Sequence, residues 1–187
     1  MTENLQNTLS AIDAANAHDP DTSEGTPAAQ LYGERMSAEL QLLYPDAPDV
    51  LQIAARGQHI ERWMLPRSDF PMDRTGYLTW RKEQGRRHGA RVAEIMTANG
   101  YAQPDADQAA AMLRKEAIKR DPLTQSLEDV ACFTFIRWYL GPFAGTQDPE
   151  KLDRIVAKTA RKMSSEARAR ALQEFEMPAS LAAHFQN

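Results

Sequence analysis

The sequence of 187 residues contains a single cysteine, so a disulfide bond within the chain is excluded. No apolar run approaches the roughly 18 residues that a bilayer-spanning helix needs. The first residues lack the basic flank and apolar block of a signal peptide. The cysteine, Cys132, lies in the apolar stretch VACFTFI, which predicts a buried thiol in a reducing compartment. We therefore expect a cytoplasmic protein with no membrane partner.

Basic residues are outnumbered by acidic ones, 22 to 26, which gives a net charge of −4. Broad nucleic-acid binding usually requires a basic face, so we expect no nucleic-acid partner. Basic residues are nevertheless concentrated in RKEQGRRHGAR (81–91) and RKEAIKR (114–120). These two basic segments either attract an anionic ligand, such as a phosphate or a carboxylate, or form ordinary solvated helix faces.

Runs of alternating β-branched residues are missing, and nearly every periodic segment repeats with the helical period. The hydrophobic fraction of 42% and the charged fraction of 26% are typical of a soluble globular domain. The sequence therefore predicts a single all-α domain over residues 1–187, built as a compact helical bundle. The predicted helices cover about 3–16, 27–43, a third capped by Asp46 or Asp49 and reaching 65, then 73–98, 104–120, 123–141, 148–164 and 165–175.

Three successive predicted helices each place one residue able to bind a metal on an apolar face: His88, Glu116 and Asp129. An unpaired buried carboxylate costs several kcal/mol, so each acid must find a cation or take up a proton. We therefore expect the three side chains to converge on one site. Lys119 is the structural competitor, because it lies nearest to Glu116 on the helical wheel and could pair with it.

The predicted helix ending near residue 65 supplies a fourth candidate. Gln58 lies deep on its apolar face, and His59 lies beside it. Imidazole and carboxylate groups together suit Fe, Mn, Zn or a related divalent metal. Gln58 or His59 is expected to act as the fourth ligand or as a general acid/base.

An anion-binding role is predicted for residues next to this site. The segment WMLPRSDFPMDRTGYLTWRK (63–82) is rich in aromatic residues and arginine. It forms either a substrate lid, in which Arg67 and Arg74 hold an anion, or a packed connection whose aromatic residues fill a core edge. Lys115 and Lys119, which flank Glu116, are further candidates for contact with the anion.

The segments LYGERM, AARGQHIERW, HGARVAEIMTANGY, AAMLRKEAIKR and LEDVACFTF together resemble the HD-domain superfamily of metal-dependent phosphohydrolases. This resemblance covers about residues 28–140. It implies an HD-like core on which helix 3–16 and the helices within 148–185 pack. Nearly the whole chain is also similar to an uncharacterised family of bacterial and fungal proteins known only as a domain of unknown function.

The chain departs from the HD pattern at several positions. Tyr32, with Glu34 nearby, stands where the superfamily has a histidine, and these two residues are assigned to the substrate side of the site. Gln58-His59 stands where the superfamily has a His-Asp pair, and Glu116 replaces a further histidine. His88 and Asp129 match in residue type. The site is therefore either a remodelled metal centre or a degenerate one that has lost its metal.

These observations lead to one main functional prediction. It is a metal-dependent hydrolase with Fe, Mn or Zn bound, acting on a small anionic metabolite, by default a phosphoester. The resemblance leaves open an iron-dependent oxygenase on the same fold. A third prediction, from a different functional class, is a non-catalytic ligand-binding module.

Overall fold

The computed structural model describes residues 2–186, and within this range it contains helices and no strand. The all-α prediction is confirmed. The helices are α1 (Glu3–Asn16), α2 (Ala28–Leu43), α3 (Asp49–Arg56), α4 (Arg74–Ala98), α5 (Gln103–Leu113), α6 (Pro122–Thr134), α7 (Leu140–Ala144), α8 (Pro149–Lys162), α9 (Ser165–Glu174) and α10 (Ala179–Ala182). Within the described range, no helix has both the length and the apolar character needed to cross a bilayer.

The contacts between residues divide the chain into two units, the first ending at Glu116 and the second beginning at Ala117. The first unit contains α1 to α5, and the second contains α6 to α10. The single domain over residues 1–187 stays a prediction.

Helices α4 and α5 approach each other closely because two glycines of α4 face the backbone of α5. A Cβ atom on Gly89 would lie 2.9 Å from the carbonyl oxygen of Ala110, and one on Gly85 would lie 3.1 Å from that of Leu113. The helices therefore meet backbone to backbone. The largest fully buried side chains of this unit include Met36, Ile53, Val92, Met96 and Met112.

Helix α3 ends at Arg56, nine residues before the predicted end, so the placement of Gln58 and His59 on a helix is wrong. The amide of Gly57 donates to the carbonyl of Ile53 and closes the last turn. A Cβ atom on Gly57 would lie 2.5 Å from a methyl carbon of Val92 in α4. The chain leaves the helix where it meets α4, and Gln58 and His59 lie in the turns that follow.

Helix α5 ends at Leu113 rather than near residue 120. Lys115 has a positive φ of 58°. Its amide donates to the carbonyl of Met112, and the amide of Glu116 donates to that of Ala111. This is the Schellman pattern of a helix end, in which glycine usually occupies the left-handed position. With lysine there instead, the sequence carries no visible stop signal.

In the second unit, α6 continues into a π-helical turn (Phe135–Tyr139) and then α7. The apolar helix therefore runs a few residues past its predicted end at Gly141-Pro142. The rings of Phe133 and Phe175 lie 5.3 Å apart between centroids, and the guanidinium of Arg137 pairs with Glu174. Other buried residues of this unit are Val130, Val156, Ala160, Met163 and Ala171.

Candidate functional site

A cavity of about 290 Å³ lies in the first unit, between the turns after α3, the middle of α4 and the end of α5. Its walls carry five cationic side chains, those of Arg62, Arg81, Lys82, Arg114 and Lys115. Its uncharged polar side chains are those of Gln58, His59, Gln84 and His88. None of the described residues that line it is acidic. The walls of the cavity are therefore strongly positive.

Gln84 and the end of α5 give the cavity its shape. The side-chain Nε2 of Gln84 donates to the carbonyl oxygens of Arg62 and Leu65, at 2.9 and 3.0 Å. These bonds hold the turns after α3 against α4. The left-handed conformation of Lys115 turns the chain back at the end of α5 and leaves this side chain on the wall. A residue other than glycine held at positive φ is the kind of local strain that clusters at functional sites.

Two histidines form the inner wall. The rings of His59 and His88 lie 6.1 Å apart between centroids, and the ring of Tyr32 stacks on His59 at 3.8 Å. The backbone carbonyl of Gln58 acts on the ring of His88 and raises its pKa in part. Nε2 of His88 has no hydrogen-bond partner within the described residues.

Both imidazoles are neutral at pH 7. Burial lowers the pKa of His88 to about 3, with a smaller contribution from the charge of Arg62, and the Gln58 carbonyl opposes the shift in part. Burial also places the pKa of His59 well below its ordinary value, and nearby cations, Arg62 first among them, add to the shift. Each ring therefore carries one N–H donor and one lone pair at this pH.

Arg62 lies over the indole ring of Trp80, 4.6 Å from the ring centroid. Burial lowers the pKa of this guanidinium; Tyr32 opposes the shift in part, and Arg81 adds to it. No salt bridge to Arg62 is found among residues 2–186. By contrast, Arg114 is paired with Glu116 at 2.7 Å. Arg62 is thus a partly desolvated cation with no carboxylate beside it.

A family model described as "Domain of unknown function (DUF4202)" matches residues 6–184. The chain belongs to the DUF4202 family. This confirms the similarity of nearly the whole chain to a domain of unknown function. No match was found among curated proteins or among solved structures.

The predicted metal ligands of this DUF4202 chain have different surroundings from those expected. Glu116 is exposed and paired with Arg114, so its predicted burial on an apolar face is wrong: α5 has ended three residues earlier. Lys119, the expected competitor for Glu116, donates instead to the carbonyl of Arg161. Within residues 2–186, no group of three or more His, Cys, Asp or Glu side chains is placed to hold a metal ion.

Asp129 belongs to the second unit and is fully buried, as its place on an apolar face predicts. Its carboxylate accepts bonds from the amide of Ser164 at 2.8 Å and from the Ser164 hydroxyl at 2.7 Å. The side-chain amide of Gln125 donates to it as well, at 2.9 Å. Asp129 therefore joins α6 to the start of α9 through hydrogen bonds.

The residues predicted to bind an anion divide into two groups. Lys115 lines the cavity, and Tyr32 stacks on its wall residue His59. Neither Arg67 nor Arg74 is among the lining residues. The guanidinium of Arg67 donates to three loop carbonyls, those of Phe70, Pro71 and Asp73. Glu34 accepts a bond from the side chain of Gln30 within α2.

Two cavity residues were missed by the sequence analysis, Arg62 and Gln84. Gln84 lies four residues before His88, so both fall on the same face of α4, and this spacing was a usable signal. The two basic segments were a second usable signal. Segment 81–91 supplies Arg81 and Lys82 to the cavity, and segment 114–120 supplies Arg114 and Lys115. No comparable signal pointed to Arg62, since the turn that places it was predicted as helix.

Proposed function

We propose that this protein binds a small anionic metabolite, carrying a phosphate group, in the cavity between α4 and the end of α5. The observation that carries the proposal is the composition of the cavity wall, with five cationic side chains and no acidic one among the described lining residues. Both basic segments of the sequence contribute to this wall. Guanidinium and ammonium groups in a partly enclosed site are the usual recognition elements for phosphate.

The surroundings of Arg62 favour contact with an anionic ligand over a purely structural role for this side chain. Removing a guanidinium from water costs free energy unless an opposite charge replaces the water. Arg62 has an aromatic ring on one side and Arg81 nearby, and both the burial and the second cation lower its pKa. A bound phosphate would supply the missing negative charge.

The predicted metal-dependent chemistry fits this cavity less well. Iron, manganese and zinc sites in proteins combine imidazole with carboxylate or thiolate ligands. Among the residues that the structure describes, those lining the cavity offer imidazole and amide groups, no carboxylate, and five cations that would repel a divalent metal. The non-catalytic ligand-binding module is therefore the function that the geometry favours. The HD relationship and metal-dependent phosphoester hydrolysis or oxidation stay predictions, which elemental analysis of the purified protein tests directly.

Isothermal titration calorimetry with inorganic phosphate, in the presence of EDTA, tests the proposal. Wild-type protein should bind phosphate, and the affinity should fall as salt is added, because the contacts are partly exposed to solvent. Arg81→Glu should lower the affinity at least about tenfold, since it reverses one charge on the wall. Arg86→Glu is the matched control: this exposed residue lies on the same helix, outside the cavity. Absence of binding, or an equal loss in both variants, would contradict the proposal.

A further inference from the structure

The face of α4 that packs against α5 is left uncovered over the first turns of the helix. With about 100° per residue, the face that holds Gly85, Gly89 and Val92 continues toward the start of α4 through Leu78 and Arg74. Helix α5 reaches this face only as far as Gly85, which lies against the last residue of α5. The early end of α5 therefore leaves the first turns of α4 without the cover that the second half of the helix has.

Two large hydrophobic side chains on this uncovered face are exposed to solvent. Leu78 is 54% exposed and Tyr77 is 43% exposed. Four of the six exposed large hydrophobic side chains in the described part of the chain lie within residues 64–78. Single exposed hydrophobic residues are common on protein surfaces, but a concentration of them marks a surface that contacts a partner.

Cationic side chains surround these hydrophobic residues. Arg74, Arg81 and Lys82 are exposed, and they share with Tyr77 and Leu78 an arc of about 140° on the helix. The guanidinium of Arg81 lies 5.8 Å from the centroid of the Tyr77 ring. Residues 62–82 carry five basic and two acidic side chains, although the whole chain has a net charge of −4. The uncovered face is therefore both apolar and positive.

These charges decide between possible partners. A second copy of this chain would bring the same cations together across a symmetric contact, and they would repel each other. The partner must instead offer negative charge beside apolar groups. Leu78, Arg81 and Lys82 also line the cavity, so the uncovered face is continuous with the proposed phosphate site. An anionic phospholipid bilayer supplies phosphate groups, a negative surface and an apolar layer beneath them.

We infer that the first turns of α4 bind the surface of an anionic phospholipid bilayer. Leu78 and Tyr77 would enter the boundary between head groups and acyl chains, the usual depth for such side chains at a membrane surface. The cations would meet the head groups, and one lipid phosphate would lie in the cavity. This inference rests on the proposed function, since the cavity is taken to receive that phosphate. The expectation of no membrane partner rested on the lack of a spanning segment, and a peripheral contact needs none.

Sedimentation of the full chain with lipid vesicles, in the presence of EDTA, tests the inference. Vesicles of phosphatidylcholine with about 30 mol% phosphatidic acid should bind the protein at least about tenfold more tightly than pure phosphatidylcholine. Leu78→Ser should lower the affinity for the anionic vesicles about tenfold, because it removes an apolar side chain from the contact. Leu42→Ser is the matched control, since this leucine of α2 is equally exposed, at 53%. Its affinity for the vesicles should stay within about twofold of wild type.

Phosphate titration of the same proteins separates this inference from the proposed function. If phosphate binds but the anionic vesicles do not bind, or bind no better than pure phosphatidylcholine, the inference is overturned and the anionic site stands. Equal effects of Leu78→Ser and Leu42→Ser would overturn it as well. Vesicle binding that depends on Leu78, in a protein that does not bind phosphate, would support the membrane contact and refute the proposed function. If neither probe binds, both are wrong.

An acidic protein is the remaining alternative partner for this face, and poly-L-glutamate is the probe for it. The inference predicts that Leu78→Ser leaves the affinity for this polymer within about twofold of wild type, because the polymer offers charge without an apolar layer. Binding of poly-L-glutamate that depends on Leu78, with no binding to anionic vesicles, would assign the face to an acidic protein and overturn the inference.

Discussion

The rings of His88 and His59 lie 6.1 Å apart between centroids and are tilted by 52°. The pair joins the middle of α4 to the first turns after α3, and Nε2 of His88 is unpartnered within the described residues. A histidine therefore occupies the place on the inner face of α4 where an aliphatic residue would complete the core. It adds a buried imidazole to the residues that line the cavity.

The burial of His88 and His59 makes the stability of the protein depend on pH. The pKa values of both imidazoles are lowered in the folded protein, that of His88 to about 3, whereas the unfolded chain titrates near 6.5. Between pH 6.5 and 3 the unfolded state thus binds more protons. The free energy of unfolding should fall as the pH falls through this window, by up to about 1.4 kcal/mol per pH unit for each histidine.

Urea denaturation at several values between pH 7 and pH 5 measures this slope. His88→Asn should flatten it relative to wild type, because one buried titrating group is gone. His18→Asn is the control, since His18 is exposed at the end of α1, where its ring bonds to the carbonyl of Ala14. Parallel curves for wild type and His88→Asn would show that His88 does not titrate as described.

Replacing Arg62 by methionine should separate binding from stability. The apolar contact with Trp80 is kept, and a partly desolvated charge without a carboxylate partner is removed. Without ligand, the free energy of unfolding of Arg62→Met should therefore equal or exceed that of wild type. Its affinity for phosphate should fall about tenfold or more, the typical value of a charged hydrogen bond.

Arg56→Met provides the contrast to Arg62→Met. The guanidinium of Arg56 makes two bonds to Asp13, at 2.6 and 2.7 Å, so its removal leaves a half-buried carboxylate unpaired. This variant should lose about 2–3 kcal/mol of stability. Equal destabilisation by both substitutions in denaturant titrations would mean that Arg62 is a structural residue.

The close approach of α4 and α5 predicts opposite effects of alanine at two helical glycines. Alanine raises helix propensity by about 1 kcal/mol relative to glycine. At Gly89 the new Cβ atom would lie 2.9 Å from a backbone oxygen of α5, which cannot move aside easily. Gly89→Ala should therefore lose about 1–3 kcal/mol, whereas Gly145→Ala, at the C-cap of α7 with a helical φ of −63°, would place its Cβ 3.6 Å from the carbonyl oxygen of Pro142 and should be neutral or stabilising. Thermal denaturation of the two variants checks the sign.

The positive φ of Lys115 should lower the free energy of unfolding, and the same conformation places a cation on the cavity wall. Lys115→Gly removes the steric penalty, which is about 1 kcal/mol for an ordinary side chain, and should lower phosphate affinity. Ala117→Gly is matched to it, because Ala117 also has a positive φ, of 57°, and does not line the cavity. It should relieve the same penalty and leave binding unchanged. An unchanged phosphate affinity in Lys115→Gly would remove this residue from the site.

A helix could be predicted from the sequence where its hydrophobic period stops at residues that usually cap or end a helix. Helix α4 has Asp73 as its N-cap, and Gly100 follows it with a φ of 88°, so both its extent and the burial of His88 were predictable. Helix α5 has no such end signal. The helical period of the sequence continues through RKEAIKR (114–120), but Lys115 adopts the left-handed conformation, in which glycine is the usual residue. The predicted burial of Glu116 failed for this reason.

The candidate site was predictable in its charges but not in its geometry. The two basic segments were visible, yet the turn that brings Arg62 to them depends on Gly57 meeting Val92, a contact between residues 35 positions apart. Asp129 shows the same limit: its burial followed from the helical period, but its partner Ser164 lies on another helix. Tertiary contacts of this kind leave no periodic trace in one sequence.

The most direct test of the account is a phosphate titration followed by two-dimensional NMR of the arginine Nε–Hε groups, with EDTA present. The anionic site predicts a saturable shift of the Arg62 signal at the lowest phosphate concentrations, while the signal of Arg86, outside the cavity, stays in place. The shift should occur without added metal. An Arg62 signal that does not respond, or that moves only after a divalent metal is supplied, would contradict the account.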